Sequence, residues 1–255
     1  MRAAVLLLLF FSVAALVWAL QPPLSAYLTV RRLADAQTDR AECDAALRRA
    51  GQTALLALKQ GICSSNPNVR AHCGRLLALQ GDRDGDRCLT ELLRTHSKPE
   101  DVVGAKAETF LLSIWDRRDG PPTALRAKLS RASRTADRDL LSALSELIEA
   151  YPGWTAGYVM RAKVYLRNGE AFEAKRQAMI ALLLEPENFE ATVALGDAVL
   201  VLGAPEQAYR CLQHAINLNP RLQSSLREDV QNTLKAIEAE RARRRQQQRK
   251  EMPVI

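Results

Sequence analysis

The sequence is poor in the residues that build β-sheets. Aromatic residues make up only 5% of the chain, and runs of Val, Ile, Thr and Tyr that would read as strands are nearly absent, which argues against a β-sandwich or a β-barrel. Ala, Leu and Arg dominate instead, and a hydrophobic content of 47% is enough for a packed core. The composition therefore predicts an all-α protein.

The sequence also lacks the motifs that carry enzyme chemistry. It has three histidines and contains no Gly-rich phosphate loop, no Gly-x-Ser-x-Gly elbow and no His-Glu-x-x-His pair. Nine and fourteen residues separate Cys63, Cys73 and Cys88, whereas zinc sites use closely spaced ligand pairs. We therefore expect no catalytic residue, no metal and no cofactor.

One acidic segment resembles part of a calcium-binding loop. Asp82, Asp84 and Asp86 alternate with other residues, but Arg87 and Leu93 occupy the sixth and twelfth positions, where an EF-hand needs Gly and Glu. The segment is better interpreted as a turn between two helices.

Residues 1–23 hold the longest apolar run. Arg2 precedes an apolar stretch over 3–20, and Gln21-Pro22-Pro23 ends it. Val17-Trp18-Ala19 provides a weak signal-peptide cleavage site, while the length also suits an uncleaved transmembrane anchor. Both alternatives stay open, and either places the body at or across a membrane; Arg31 and Arg32 argue mildly against export.

Five cysteines admit two interpretations. Each can fill a small buried slot on a helix, or, in an oxidising compartment, one disulfide can form within the region from Cys43 to Cys88. The sequence does not choose a pairing.

The C-terminal half carries a repeat of 34 residues, which is typical of stacked helix-turn-helix units. Prolines, glycines and alanines recur at this step: Pro152, Pro186 and Pro220; Gly169 and Gly203; Ala162 and Gly196; Ala174 and Ala208; Ala181 and Ala215. Small residues let the two helices of a unit cross closely. The glycines end the first helices, the prolines stop the second helices, and Glu187 and Glu190 favour the start of the next helix.

These residues resemble the tetratricopeptide repeat (TPR) family. The family pattern has an aromatic residue, Leu-Gly and Tyr in the first helix; one unit here has Tyr158, Arg161-Ala162 and Tyr165, and the next has Thr192, Leu195-Gly196 and Val199. The resemblance implies TPR units over 121–220, clearest in 155–188 and 189–222, with a degenerate unit before them. It implies an α-solenoid of stacked helix-turn-helix repeats behind the N-terminal hydrophobic segment.

The region 38–118 is also helical in pattern but less regular. Pro67 and Pro99 each open a helix, the first ending near Gly81, and a further helix is predicted from Asp86 to Thr95. This resembles HEAT-like repeats. Together with an export or anchoring segment, the arrangement is similar in a general way to bacterial envelope TPR proteins.

The C-terminal segment 221–252 predicts a capping helix followed by a basic tail. Leu226, Val230, Leu234 and Ile237 follow helical spacing. The stretch 235–251 has seven cations and three anions, a net +4. Those cations can remain solvated at a helix C-terminus or bind an anionic membrane surface; the absence of aromatics from the tail argues against nucleic-acid binding.

The resemblance implies a concave groove lined by first helices. By position, its residues would be Val159, Lys163, Leu166, Arg167, Val193, Asp197 and Leu200. Four of these stand where some TPR members clamp a terminal carboxylate with Lys and Asn, so that clamp is absent, and Val159 and Val193 can instead merely pack within the solenoid. We expect a non-enzymatic adaptor or scaffold at the cell envelope that binds a partner peptide or helix; the alternative is a permanent structural or assembly subunit of a membrane complex.

Overall fold

The computed structural model describes residues 24–33, 40–132 and 136–222, together with 231, 235, 237–239 and 242–243. Every regular element within these residues is helical, which confirms the prediction of an all-α protein. No helix among them is long and apolar enough to span a bilayer. The predicted N-terminal segment 1–23 lies outside the described residues, as does most of the capping helix and basic tail over 221–252.

The chain divides into two compact units. Unit 1 comprises residues up to Leu92 together with Ala105–Leu111, and unit 2 comprises Leu93–Gly104 and the chain from Leu112 onward. The sequence-based boundaries of 38–118 and 121–220 stay a prediction.

Unit 1 begins with helix α1 over 24–32. Its further elements are α2 (Arg40–Ala50), a 3-10 turn (Gly51–Ala54), α3 (Leu55–Gly61), α4 (Pro67–Leu79) and α5 (Arg83–Thr95), which leaves unit 1 after Leu92. Leu33, Leu47, Leu58 and Leu77 fill its core with exposures of 1% or less. The predicted helix opening at Pro67 is confirmed, and the side chain of Asn66 caps that helix by accepting from Asn68 N.

The acidic segment begins in the turn between α4 and α5 and continues into the first turn of α5, which starts at Arg83 and not at the predicted Asp86. Gly81 has a φ of +82°, and Asp82 Oδ1 accepts a hydrogen bond from Asp84 N at 2.9 Å. Lys59 Nζ lies 3.1 Å from Asp82 and 3.3 Å from Asp84. Hydrogen bonding to the Asp84 backbone and to Lys59 lowers the pKa of Asp82. The interpretation as an interhelical turn is therefore confirmed for Asp82, which lies between the two helices, and is wrong for Asp84 and Asp86, which lie in the first turn of α5.

Helix α6 (Val102–Arg117) is divided between the units: its two ends belong to unit 2 and its middle belongs to unit 1. The helices that follow are α7 (Thr123–Ala132), α8 (Asp137–Ala150), α9 (Thr155–Arg167), α10 (Ala171–Leu184), α11 (Phe189–Val201) and α12 (Pro205–Leu218). Helices α8, α10 and α12 begin 34 residues apart, and so do α9 and α11. The predicted period is therefore present in the helices themselves.

The small residues of the repeat lie where the helices approach each other. Ala162, Ala174 and Ala208 are completely buried. A Cβ added at Gly196 would lie 2.8 Å from Leu212 Cγ, so α11 and α12 pack too closely at this point for a side chain. Gly169 and Gly203 follow the first helices with φ values of +78° and +79°, a backbone conformation that favours glycine.

Long-range contacts hold the C-terminal part of α6 to the later helices of unit 2. Trp115 packs edge-on against Phe189 with ring centroids 5.0 Å apart. Trp154 Nε1 donates to Asp116 O at 2.9 Å. These two contacts attach the end of α6 to the beginnings of α9 and α11.

No disulfide joins any of the five cysteines, all of which lie within the described residues. Cys43 and Cys73 are buried in the core of unit 1, whereas Cys63 is exposed and Cys211 half-buried. The interpretation that each cysteine fills a small buried slot therefore holds for Cys43, Cys73 and Cys88 and is wrong for Cys63.

Candidate partner-binding surface

The predicted groove residues of α9 are placed in different environments. Val159 is 2% exposed and belongs to the core, so packing accounts for its apolar side chain. Lys163 is exposed and pairs with Glu190 at 3.1 Å, and Arg167 is exposed and pairs with Asp137 at 2.6 Å. The polar part of this face is thus occupied by exposed ion pairs, which are individually weak.

The remaining groove residues are half-buried. Leu166 packs against the alanines that separate α9, α10 and α11, and Val193 packs against Leu212. Asp197 and Leu200, both on α11, are partly exposed. Partner binding in the groove stays a prediction, because partial exposure allows contact but does not indicate it.

A more apolar surface lies on the outer face of α10. Phe172 is 78% exposed, Met179 49% and Leu183 82%. Their spacing of seven and four residues places them along one side of the helix. We call these three residues the α10 stripe. Exposing large apolar side chains to water is unfavourable, and several along one helix face are typical of an interaction site.

The repeat itself shows what usually occupies these positions. One repeat earlier or later, the equivalent residues are all polar: Arg138, Ser145 and Glu149 in α8, and Glu206, Gln213 and Asn217 in α12. The architecture of the repeat therefore does not require apolar residues at this face. The α10 stripe is an addition specific to one unit.

Charges border the α10 stripe. Arg176 lies between Phe172 and Met179 on the same face, is 66% exposed at its side chain and pairs with Glu173 at 2.5 Å. An apolar row with a cation beside it suits an amphipathic protein segment that carries apolar and acidic residues.

Sequence reasoning missed the α10 stripe because it followed the positions that the family uses for its groove. The helix Ala171–Leu184 has apolar residues on both its buried and its exposed sides. Aligning the three second helices by the 34-residue step, and asking which outward positions become apolar, would have found it.

The described part of unit 2 offers little for metal binding or for thiol chemistry. No cluster of three or more His, Cys, Asp or Glu suited to a metal occurs within the described ranges. The partly exposed Cys211 lies on α12, and burial raises the pKa of its thiol, which lowers its reactivity. The most distinctive feature of the described part of unit 2 is thus the exposed α10 stripe.

Comparisons with known proteins leave the family open. No protein-family model matches the sequence, and no curated protein matches it. Among solved structures, the crystal structure of MamA protein aligns with 78% of this chain and 94% of its own, at 17% sequence identity and a TM-score of 0.33. Likeness at this level does not assign the chain to a family.

Proposed function

We propose that this chain is a non-enzymatic adaptor that holds a protein partner on unit 2, with the α10 stripe as the contact surface. The observation that carries the proposal is the change from polar to apolar at three outward positions of a single repeat. Burying these side chains against a partner would remove their apolar area from water, and each Å² removed favours binding by about 25 cal/mol. The helix pairs that carry the stripe supply a rigid support for it.

The partner class that fits best is an amphipathic helix or extended peptide. Such a segment could place apolar side chains on Phe172 and Leu183 and an acidic side chain near Arg176. The TPR resemblance of the sequence agrees with protein binding, while the groove around Lys163 and Asp197 is the alternative contact surface on the same unit.

A repeat-exchange variant tests the α10 stripe. Phe172→Glu, Met179→Gln and Leu183→Asn together install the residues that α12 carries at the equivalent positions. We expect the partner's affinity to fall at least tenfold, because the apolar contact is lost. Thermal stability should change little, because the same residues are accommodated in the neighbouring repeat. Calorimetry with the purified partner and melting followed by circular dichroism measure the two quantities.

The partner for that measurement comes from site-specific photocrosslinking in intact cells. A benzoyl-phenylalanine placed at position 172 should capture it, and the same probe at position 206, the equivalent site in α12, is the matched control. A probe at position 163 reports on the groove. Capture at 163 and not at 172 would refute the α10 stripe as the contact surface and support the groove instead.

The same crosslinks separate an adaptor from a permanent assembly subunit. An adaptor should give varied partners at less than equal amounts, and a subunit should give one partner in constant stoichiometry. An adaptor and a subunit would both use the α10 stripe. The stoichiometry of the crosslinks therefore distinguishes the two roles and does not affect the test of the α10 stripe.

We also propose that the chain is held at a membrane by its apolar run over 3–20. Helix α1 starts at residue 24 and exposes Leu24, Tyr27 and Leu28 at 57%, 44% and 50%. Three residues separate the run from α1, and the four Cα–Cα steps between positions 20 and 24 span at most about 14 Å, so a membrane entered by the run would lie close to this apolar face. The exposed Arg31 and Arg32 would then meet lipid headgroups.

Membrane anchoring predicts an intact N-terminus. We expect N-terminal sequencing of the protein from membranes to begin ahead of the apolar run, and alkaline carbonate washing to leave the protein in the pellet. A mature N-terminus at Leu20, with the protein in the soluble fraction, would refute anchoring and establish cleavage after Ala19. The control is a double variant, Leu24→Ser with Leu28→Ser. It changes the apolar face of α1 and leaves the run over 3–20 intact, so the N-terminus found by sequencing should stay the same.

A further inference from the structure

Two cysteines of unit 1 face the same cavity. Its volume is about 440 Å³, and both Cys63 and Cys88 line it, together with Arg70 and charged residues of α5. Cys63 is exposed and lies just after α3, on the irregular segment 62–66 that joins α3 to α4. Cys88 lies on α5 and is 9% exposed. The cavity thus brings together two thiols that are 25 residues apart in sequence.

Arg70 connects the two sides of this cavity. Cys88 Sγ lies 3.6 Å from the carbonyl oxygen of Arg70. The guanidinium of Arg70 donates from Nη1 to the carbonyl oxygen of Ser64 at 3.0 Å, and Ser64 is the residue after Cys63. A single residue on α4 therefore contacts Cys88 directly and the neighbour of Cys63, so the segment carrying Cys63 is held beside α5.

The other cysteines are placed differently. Cys43 and Cys73 are buried at 3% and 0% within the core of unit 1, where an oxidant in solution has poor access. Cys211 belongs to unit 2. Of the cysteines, Cys63 is the one whose side chain is exposed, and Cys88 lines the same cavity.

We propose that Cys63 and Cys88 are a disulfide-forming pair that closes when the protein meets a small-molecule disulfide oxidant. The thiolate of Cys63 attacks the oxidant, forms a mixed disulfide and releases one small thiolate. The thiolate of Cys88 then attacks Cys63 Sγ and releases the second small thiolate. Two protein thiols are oxidised, two protons leave, and the oxidant is reduced to two thiols.

Closure needs Cys63 to approach α5, since a disulfide requires Cα atoms about 4.4–6.8 Å apart. Cys63 lies outside any helix, but its amide donates to Gln60 O at 3.1 Å and the amide of Ser64 donates to Gly61 O at 3.1 Å, so closure must open hydrogen bonds of this turn. The bridge would fasten the end of α3 to α5 across the cavity. This inference is independent of the proposed adaptor function, because it concerns unit 1 alone.

The second step should be strongly pH-dependent. Burial raises the pKa of the Cys88 thiol to about 11, with Glu91 on α5 and Cys63 adding to the rise and Arg70 on α4 opposing it. Asp84 and Arg87 also line the cavity. Below that pKa the thiolate fraction of Cys88 grows about tenfold per pH unit, so ring closure should accelerate by up to about tenfold per unit from neutral pH upward.

Peptide mapping of the full-length protein tests the pair. The protein, in detergent, is treated with oxidised glutathione, blocked with an alkylating reagent and digested with trypsin without reduction. The expected product links the peptide of residues 60–70 to the peptide of residues 88–94, and reductant should abolish it. Cys211→Ser is the control and should leave this product unchanged, while Cys63→Ser should remove it.

Two results would overturn the proposal. In the first, Cys63 carries glutathione and Cys88 carries the alkylating reagent even after long incubation at raised pH, which would show that the thiols cannot meet. In the second, the linked peptides arise between molecules, as mixing isotopically light and heavy protein would show. The test needs no substituted protein to fold, since the mapping is done on the natural sequence.

Discussion

Replacing Trp154 with alanine should lower the free energy of unfolding of unit 2 by about 3–5 kcal/mol. The side chain is completely buried and its indole nitrogen donates to Asp116 O at 2.9 Å. A Cβ at Gly120 would lie 2.6 Å from Trp154 Cδ1, and a Cβ at Gly157 would lie 2.4 Å from Cε3. The indole therefore fills a slot with glycines on two sides, and its removal leaves both a cavity and an acceptor without its donor.

Urea denaturation followed by circular dichroism measures this loss, and hydrogen exchange of α9 locates it. Phe172→Ala is the control, because this side chain is 78% exposed and its loss should change stability by no more than about 0.5 kcal/mol. If Trp154→Ala costs no more than Phe172→Ala, the indole does not hold the start of α9 to α6.

The helix ends of the repeats could be predicted from sequence because they depend on local chemistry. A proline two residues after each second helix cannot continue that helix, and α8, α10 and α12 end at Ala150, Leu184 and Leu218, each two residues before its proline. Gly169 and Gly203 adopt positive φ values after α9 and α11, as their position in the period predicted.

Other features depend on residues far apart in sequence and could not be predicted. Trp154 finds its acceptor on α6, 38 residues earlier. Arg221 donates to the carbonyl oxygens of Lys98 and Pro99, at 2.6 and 3.1 Å. One local feature was not predicted: Asn188 caps α11 by accepting from Ala191 N at 3.0 Å, while Glu190 lies in the first turn of that helix as expected.

The candidate site shows the same division. Family position placed Val159 in the groove, but its burial depends on how closely α9 meets α8 and α10, which spacing alone does not determine. The exposure of Phe172 and Leu183 follows from the repeat, because the equivalent outward positions in α8 and α12 are polar. That comparison between repeats was available in the sequence.

Removing the carboxylate of Glu185 should destabilise unit 2 by about 3 kcal/mol. Glu185 Oε1 lies 2.6 Å from Arg118 Nη1, and the two side chains are only 6% and 15% exposed. Glu185→Ala takes away the anion and leaves a guanidinium within the protein, which is costly because water cannot replace the lost partner. Glu185→Gln keeps an acceptor and should lose less, and urea denaturation of each variant gives the values.

Burial also predicts how salt acts on this pair. Salt screens exposed charges far more than buried ones, so the loss in Glu185→Ala should persist at high ionic strength. The pair of Arg167 and Asp137 is the matched control, with side chains 57% and 36% exposed; Asp137→Ala should cost at most about 1 kcal/mol and less in salt. The double variant Arg118→Met with Glu185→Ala should recover much of the stability, since it removes both charges. A double variant less stable than Glu185→Ala alone would show that Arg118 stabilises unit 2 through contacts other than this carboxylate.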